Sequence, residues 1–348
     1  MSRALAMSVL RSTTVLCACL VFGIAVQAAD QTVIYSNSGS HADAGLSSGP
    51  ISASGIRAPA GWTWSEAQAI SGTETNSIGG FSCQPVRQAG QPFSFADDFV
   101  VPAGLMFRVQ TLSVFAYRPA SGATSSPFDW GSVRLWHGVP GERGSMPLWG
   151  NLSVNRLVSA EPMHVYRIFA SVGSPAATPN GLRPVWQINL STGGLLLGPG
   201  TYWIEWQVGT ADGTGEAFAP PLTLPGRRTR SGANSRQFRP ASGGGMWADA
   251  IDPGKPAAAE DVPVDMPFLL WGSIELPIVC AADIVAIGGV QPPDGIVTGD
   301  DLIAFINAFA GSEQAADVVA VGGEQPPDGL VTGDDYIAFI NAFASGCP

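Results

Sequence analysis

The chain has 348 residues, 45% of them hydrophobic and 13% charged, with a net charge of −11. That apolar content is ample for a core, and the length allows two or three domains. The acidity excludes nucleic acid as a partner, because a phosphate backbone would be repelled.

Residues 1–29 read as a signal peptide. Arg3 and Arg11 form the positive region, Thr14 to Val26 the apolar stretch, and Val26-Gln27-Ala28 a small-residue cleavage site. The expected product is exported, extracellular or at the cell surface. No later stretch is long and apolar enough to predict a transmembrane segment. Removing the leader leaves Cys83, Cys280 and Cys347. An oxidising compartment then favours one bridge and one free thiol.

Residues 30–278 alternate short apolar runs with Gly, Pro and Ser clusters. Strands are predicted at Thr32 to Tyr35, Phe93 to Val101, Phe107 to Tyr117 and Val133 to Trp136. Four more are predicted at Val165 to Val172, Val185 to Leu190, Gly200 to Val208 and Phe268 to Ile274. The only run with helical periodicity is a short one near Trp64 to Ile70. Frequent turns between short strands predict an antiparallel β-sandwich. The phrases Ala96-Asp97-Asp98-Phe99-Val100-Val101-Pro102, Gly200-Thr201-Tyr202-Trp203-Ile204-Glu205-Trp206 and Pro267-Phe268-Leu269-Leu270-Trp271-Gly272-Ser273 resemble a β-sandwich domain common in secreted, surface-sorted bacterial proteins. That resemblance implies a fold and no chemistry.

Catalysis finds little footing in this body. Asp97 and Asp98 are adjacent and so point to opposite faces of a strand. A glycoside hydrolase needs two facing carboxyls, and Asp98 with Glu205 is the pair left for that role. His41, His137 and His164 are scattered, without zinc-ligand spacing. No Gly-x-Ser-x-Gly elbow occurs. Binding is the stronger alternative. In Gly200 to Val208, period-two alternation puts Tyr202, Ile204, Trp206 and Val208 on one face and Trp203, Glu205 and Gln207 on the other. An aromatic beside two hydrogen-bonding groups suits a sugar ring, so this second set is the candidate carbohydrate-binding site for a polysaccharide. Arg227, Arg228, Arg230, Arg236 and Arg239 cluster in a Gly- and Ser-rich stretch, readable as a solvated loop or as an anion contact.

Residues 279–348 contain one passage written twice, thirty-four residues apart. Asp283 to Gly289 returns as Asp317 to Gly323, Gln291 to Gly295 as Gln325 to Gly329, and Thr298 to Asp301 as Thr332 to Asp335. The run Ile303 to Phe309 returns as Ile337 to Phe343. Two copies of one small unit, packed together, are expected. Each copy ends in an amphipathic helix. Leu302, Ile303, Phe305, Ile306 and Phe309 make its apolar stripe, and Thr298 with Asp301 predicts a capping box. Two facing stripes make a thin core that wants a staple or a metal. Cys280 and Cys347 bracket the duplication, and bridging them would contribute roughly 4 kcal/mol by loop entropy. Ten Asp and Glu with no Lys or Arg lie between Cys280 and Pro348. Such crowded carboxylates favour a hard cation.

Asp294, Gly295, Val297 and Asp301, and equally Asp328, Gly329, Val331 and Asp335, match the second half of an EF-type calcium loop. Here the chain resembles the dockerin module, a duplicated calcium-loop-plus-helix unit. More narrowly it looks like the variant of secreted planctomycete-type proteins that opens Cys-x-Ala-Asp and ends Gly-Cys, as Cys280-Ala281-Ala282-Asp283 and Gly346-Cys347-Pro348 do. It departs from the usual module in one respect. Asp283 and Asp317 lie eleven residues before Asp294 and Asp328, so the middle ligand of each loop is missing. The resemblance implies weak calcium binding by Asp283, Asp294, Asp301, Asp317, Asp328 and Asp335. The residues alone also allow Asp301 and Asp335 to be helix caps, and Asp294-Gly295 and Asp328-Gly329 to be turns. The resemblance further implies attachment to a cohesin-like or cell-envelope protein. The expected whole is a mainly β protein with a small α module at its C-terminus, non-catalytic and anchored by its tail. The alternative is a carbohydrate-binding module or polysaccharide hydrolase carried on a dockerin.

Overall fold

A computed structural model of the chain describes residues 32–67, 74–85, 92–169, 171, 179–212, 216–241, 245–275, 280–285, 288–289, 293, 296–323 and 327–346. The expected signal peptide lies outside them.

The chain is mainly β. Strands β1 (Thr32–Ser36), β2 (Thr63–Glu66), β3 (Phe81–Ser82), β4 (Ser94–Val101) and β5 (Met106–Tyr117) open the body. There follow β6 (Phe128–His137), β7 (Met146–Gly150), β8 (Leu157–Ile168), β9 (Pro184–Leu197) and β10 (Gly200–Thr210). Short pieces come next: β11 (Phe218–Ala219), β12 (Arg236–Arg239), β13 (Met246–Asp249), β14 (Ile251–Asp252) and β15 (Val262–Pro263). The long β16 (Phe268–Glu275) closes the body. One sheet runs β1-β16-β5-β9-β8-β2, with β11 added beside β5 and β3 beside β11. A second runs β13-β12-β4-β10-β6-β7.

Alternation decides what each strand buries. Ile204, Trp206 and Val208 of β10 and Val133 and Leu135 of β6 meet Leu112 and Val114 of β5 and Ile188 and Leu190 of β9 in one core. The face of β10 predicted to be apolar therefore lies between the sheets. In β5 the alternation changes phase. Phe107 and Val109 point inward before a register shift, and Leu112, Val114 and Ala116 after it. The shift is a bulge at Gln110, since Trp271 pairs with Thr111 while Gly272 pairs with Val109. A Cβ on Gly272 would sit 1.9 Å from the Arg108 carbonyl oxygen, so the bulge requires glycine there.

One pairing departs from the antiparallel expectation: β2 runs parallel to β8, Thr63 opposite Val165. The helical period near Trp64 is likewise overruled, for Thr63–Glu66 is a strand. Its edge position and the buried Trp64 outweigh so short a helical signal.

The tail forms two helices, α1 (Gly299–Ala310) and α2 (Gly333–Ser345), with a short 3-10 turn at Gln314–Ala316 between them. Both begin with the expected capping box, Thr298 with Asp301 and Thr332 with Asp335. Phe305, Phe339, Ala308, Ala316 and Val318 make a core of their own. The apolar stripe is wider than that core: Phe305 is fully buried, whereas Ile303 and Ile306 are 61% and 49% exposed. Cys280 is disulfide-bonded, and Cys347 lies outside the described residues. Among the described residues no helix is long and apolar enough to cross a membrane.

Candidate functional sites on the sheet face and in the tail

The outward face of the second sheet carries the residues singled out on β10. In register, Glu205 stands opposite Arg134 of β6 and Ala96 of β4. Cross-strand partners on one face touch, and these do. Glu205 Oε2 accepts from Arg134 Nε at 2.8 Å and from Trp136 Nε1 at 2.7 Å, with Arg134 Nη2 also at 2.7 Å. Glu205 Oε1 accepts from Ser94 Oγ at 2.6 Å. The carboxylate is 1% exposed and its charge is met by one guanidinium, which also lies over the Trp136 ring at 4.7 Å. A side chain so engaged is a structural tie that holds Arg134, Trp136 and Ser94 in place.

Beside it is a pocket of about 520 Å³. Glu205, Gln207 and Arg134 line it together with Trp130, Phe238, Pro85 and Pro92. Gln207 donates through Nε2 to the Phe93 carbonyl at 3.1 Å. Two of the three sugar-site candidates are thus brought together. The third is not: Trp203 is 5% exposed, faces Trp136 and Asp98 across the ladder, and is absent from the pocket wall. The aromatic rings at this site are Trp130, on the same face of β6 as Arg134, and Phe238, from the arginine-rich stretch. Period-two reasoning extended from Arg134 could have found Trp130, whereas nothing in the sequence pairs β12 with β4. Glu205 is the only carboxylate among the described lining residues, so those residues do not themselves supply the pair needed for glycoside hydrolysis.

The arginine cluster is largely spent on internal contacts. Arg228 is buried beside Glu74 and the Asp252 carbonyl, Arg230 binds Asp265 and the Asn37 carbonyl, and Arg236 meets Pro140, Glu142 and Asp249. Asp97 is also internal, accepting from the Met266 and Asp98 amides and from Asn37. Burial, and then the neighbouring Asp265, push its pKa well above the usual carboxylate range. Cys83 is free and fully buried, and burial pushes its thiol up to about 12. That is an inert thiol, with no thiolate to attack anything.

In the tail the acids act as hydrogen-bond acceptors. Asp301 Oδ1 takes the Ile284 and Val285 amides, both at 2.9 Å, and Oδ2 takes the Thr298 amide at 2.8 Å and its hydroxyl at 3.1 Å. Asp335 repeats this on Val318, Val319 and Thr332. Each carboxylate both caps its own helix and ties down the segment that opens its repeat. Two donors per oxygen leave these residues little capacity for a cation. Asp328 accepts from the Val321 and Leu330 amides. Asp317 differs: Oδ2 takes the Gly329 amide at 2.6 Å, and Oδ1 is buried without a hydrogen-bond partner. Asp283 holds the equivalent place in the first repeat, and Asp294 lies outside the described residues. Among the described residues no group of three His, Cys, Asp or Glu is placed to hold a metal.

The helices carry a second feature. Ile303 of α1 and its counterpart Ile337 of α2 are 61% and 58% exposed, and Ile296 and Leu330, ahead of each helix, 54% and 59%. Tyr336 is exposed as well. Comparison of the chain with family models, with curated proteins and with solved structures finds no match.

Proposed function

We propose that this is a non-catalytic surface or extracellular protein, a β-sandwich body held in place by a dockerin-like tail that docks onto a partner protein. The observation that carries the reading is the repeated exposure of large aliphatic side chains at equivalent places in the two tail repeats. A unit with so thin a core gains by burying such residues, and leaving them uncovered costs solubility unless a partner covers them. No Lys or Arg lies between Cys280 and Pro348, so the partner surface that fits is apolar at its centre and basic at its rim. A cohesin-like or cell-envelope protein is the expected class. Export by residues 1–29 belongs to the same proposal.

Calcium enters at the second repeat, through Asp317. A buried carboxylate oxygen without a donor is relieved by a cation. Water and backbone carbonyls would complete the shell, and affinity falls in the roughly 10⁻⁴ to 10⁻³ M class of extracellular modules.

The attachment reading is tested in cells by fractionation. Chains lacking residues 280–348, and full chains carrying both Ile303→Asp and Ile337→Asp, should pass into the medium. The double variant changes exposed positions only, so its melting profile should match the parent. Retention of both variants as before would overturn the reading.

A further inference from the structure

The pocket on the outer face of the second sheet is independent of the tail, and its chemistry narrows what can fill it. Its volume, about 520 Å³, falls within the roughly 300–1,000 Å³ range of small-molecule sites. Two half-buried aromatic side chains, Trp130 and Phe238, and the rings of Pro85 and Pro92 supply apolar surface. Charge is balanced at the pocket floor: Arg134 is paired with Glu205, and no other ionisable residue appears among the described lining residues. Arg134 is the more exposed of the two, 29% against 1%, but Glu205 directly behind it offsets its charge, so the pair offers neither an anion nor a cation a net opposite charge. A neutral ligand is therefore favoured.

The unspent hydrogen-bonding groups set the rest. Arg134 uses Nε and Nη2 on Glu205, leaving Nη1 as a donor. Gln207 uses Nε2 on Phe93, leaving Oε1 as an acceptor. The ligand must accept from one and donate to the other. A hydroxyl does both at a single atom; a carboxamide does so only through two atoms at a fixed spacing, a carbonyl only accepts, and an amine at neutral pH carries charge. Neutrality, a face of C–H groups to lie on aromatic and proline rings, and several hydroxyls around the edge describe one common class of molecule. We propose that this pocket binds a neutral saccharide unit, with Trp130 and Phe238 as its stacking surfaces and Arg134 and Gln207 as its hydroxyl partners. Glu205 positions Arg134 and takes no part in bond cleavage, since its carboxylate oxygens are engaged by Ser94, Arg134 and Trp136.

The test is titration calorimetry on the full chain with a panel of neutral disaccharides (glucose-, galactose-, mannose- and xylose-based) and their uronic acid counterparts, each at about 1 mM or above. At least one neutral sugar should bind, and its uronic counterpart should bind at least about tenfold more weakly. Trp130→Ala and Phe238→Ala should each weaken binding about tenfold or more, and Gln207→Leu should do likewise. Trp271→Ala, on the other sheet, should leave affinity unchanged. Melting midpoints measured for every variant separate lost binding from lost folding. Absence of binding to every neutral sugar, preference for the uronic acids, or binding indifferent to both Trp130→Ala and Phe238→Ala would each overturn the proposal. Because the tail variants leave this face intact, failure here and failure of the attachment reading are separate outcomes.

Discussion

Phe305 and Phe339, equivalent residues of the two tail repeats, stack face to face with ring centroids 3.9 Å apart and planes 6° from parallel. Both are fully buried, and between them they join α1 to α2. Replacing a buried phenylalanine by alanine costs about 3–5 kcal/mol. A core this thin holds little more than that in reserve. Phe305→Ala is therefore expected to melt the tail while the β body stays folded. Circular dichroism should show the helical contribution lost and the strand signal kept, and retention of both would contradict the account of the tail core.

The tail should also fail in acid. Burial works against ionisation of Asp335, but hydrogen bonds from Val319, Thr332 and Val318 outweigh it and hold its pKa below the ordinary value. Asp301 is depressed in the same way by Val285, Thr298 and Ile284. A carboxylate with a lowered folded-state pKa contributes stability that is complete above its unfolded value, near 4, and lost as pH falls through the folded one. Tail unfolding followed from pH 6 to pH 2 should show this decline. Asp335→Ala should shrink the decline, leaving the Asp301 contribution, and cost about 2 kcal/mol at neutral pH through the lost cap and unsatisfied amides.

The body carries the opposite dependence. Asp97 has a raised pKa, chiefly from burial and secondly from Asp265. Its folded form holds a proton more tightly than the unfolded chain does. The resulting stability is complete below the unfolded value, near 4, and is lost as pH rises through the folded one. Body stability measured by denaturant titration should therefore decrease across the weakly acidic range. Asp97→Ala should be less stable overall and should lose that slope. A parent protein whose body gains stability over the same interval would show that Asp97 is ionised throughout.

Calcium is expected to raise the tail's thermal midpoint slightly. At about ten times the dissociation constant, mass action adds ~1.4 kcal/mol. Full-length protein melted in millimolar calcium and in chelator should differ in the tail transition only, and Asp317→Asn should abolish the difference. Identical midpoints for the parent would leave the tail acids as caps and turns alone.

Where alternation is strong the strands were legible, and β4, β5, β10 and β16 begin and end within a residue or two of the predicted limits. By contrast, β6 and β8 begin five and eight residues before theirs, and β9 ends seven residues after its own. The short strands were not legible. Phe81–Ser82, Phe218–Ala219 and Val262–Pro263 have two residues each, too few to show a period, and exist because a neighbouring strand offers them a ladder. On the sheet face, period two placed Glu205 and Gln207 together correctly. It could not reveal that the outward Trp203 would be covered, because burial on that face depends on strands distant in sequence. The helix stripe misled for a related reason: spacing marks Ile303 and Phe305 as apolar alike, and only the partner helix decides which is covered.

The sealed position of Cys83 bears on how the chain acquires its disulfide. On the proposal that residues 1–29 are removed, thiols at Cys83, Cys280 and Cys347 could pair in three ways while the chain is unfolded, and the two that use Cys83 are wrong, since Cys83 is free in the fold. Closure of the body core around Cys83 removes its sulfur from exchange, since only an accessible thiolate reacts. The order of events then matters more than the redox potential. If the body folds ahead of the tail, as the order of synthesis favours, wrong bridges are excluded before the tail's cysteines are presented to an oxidant.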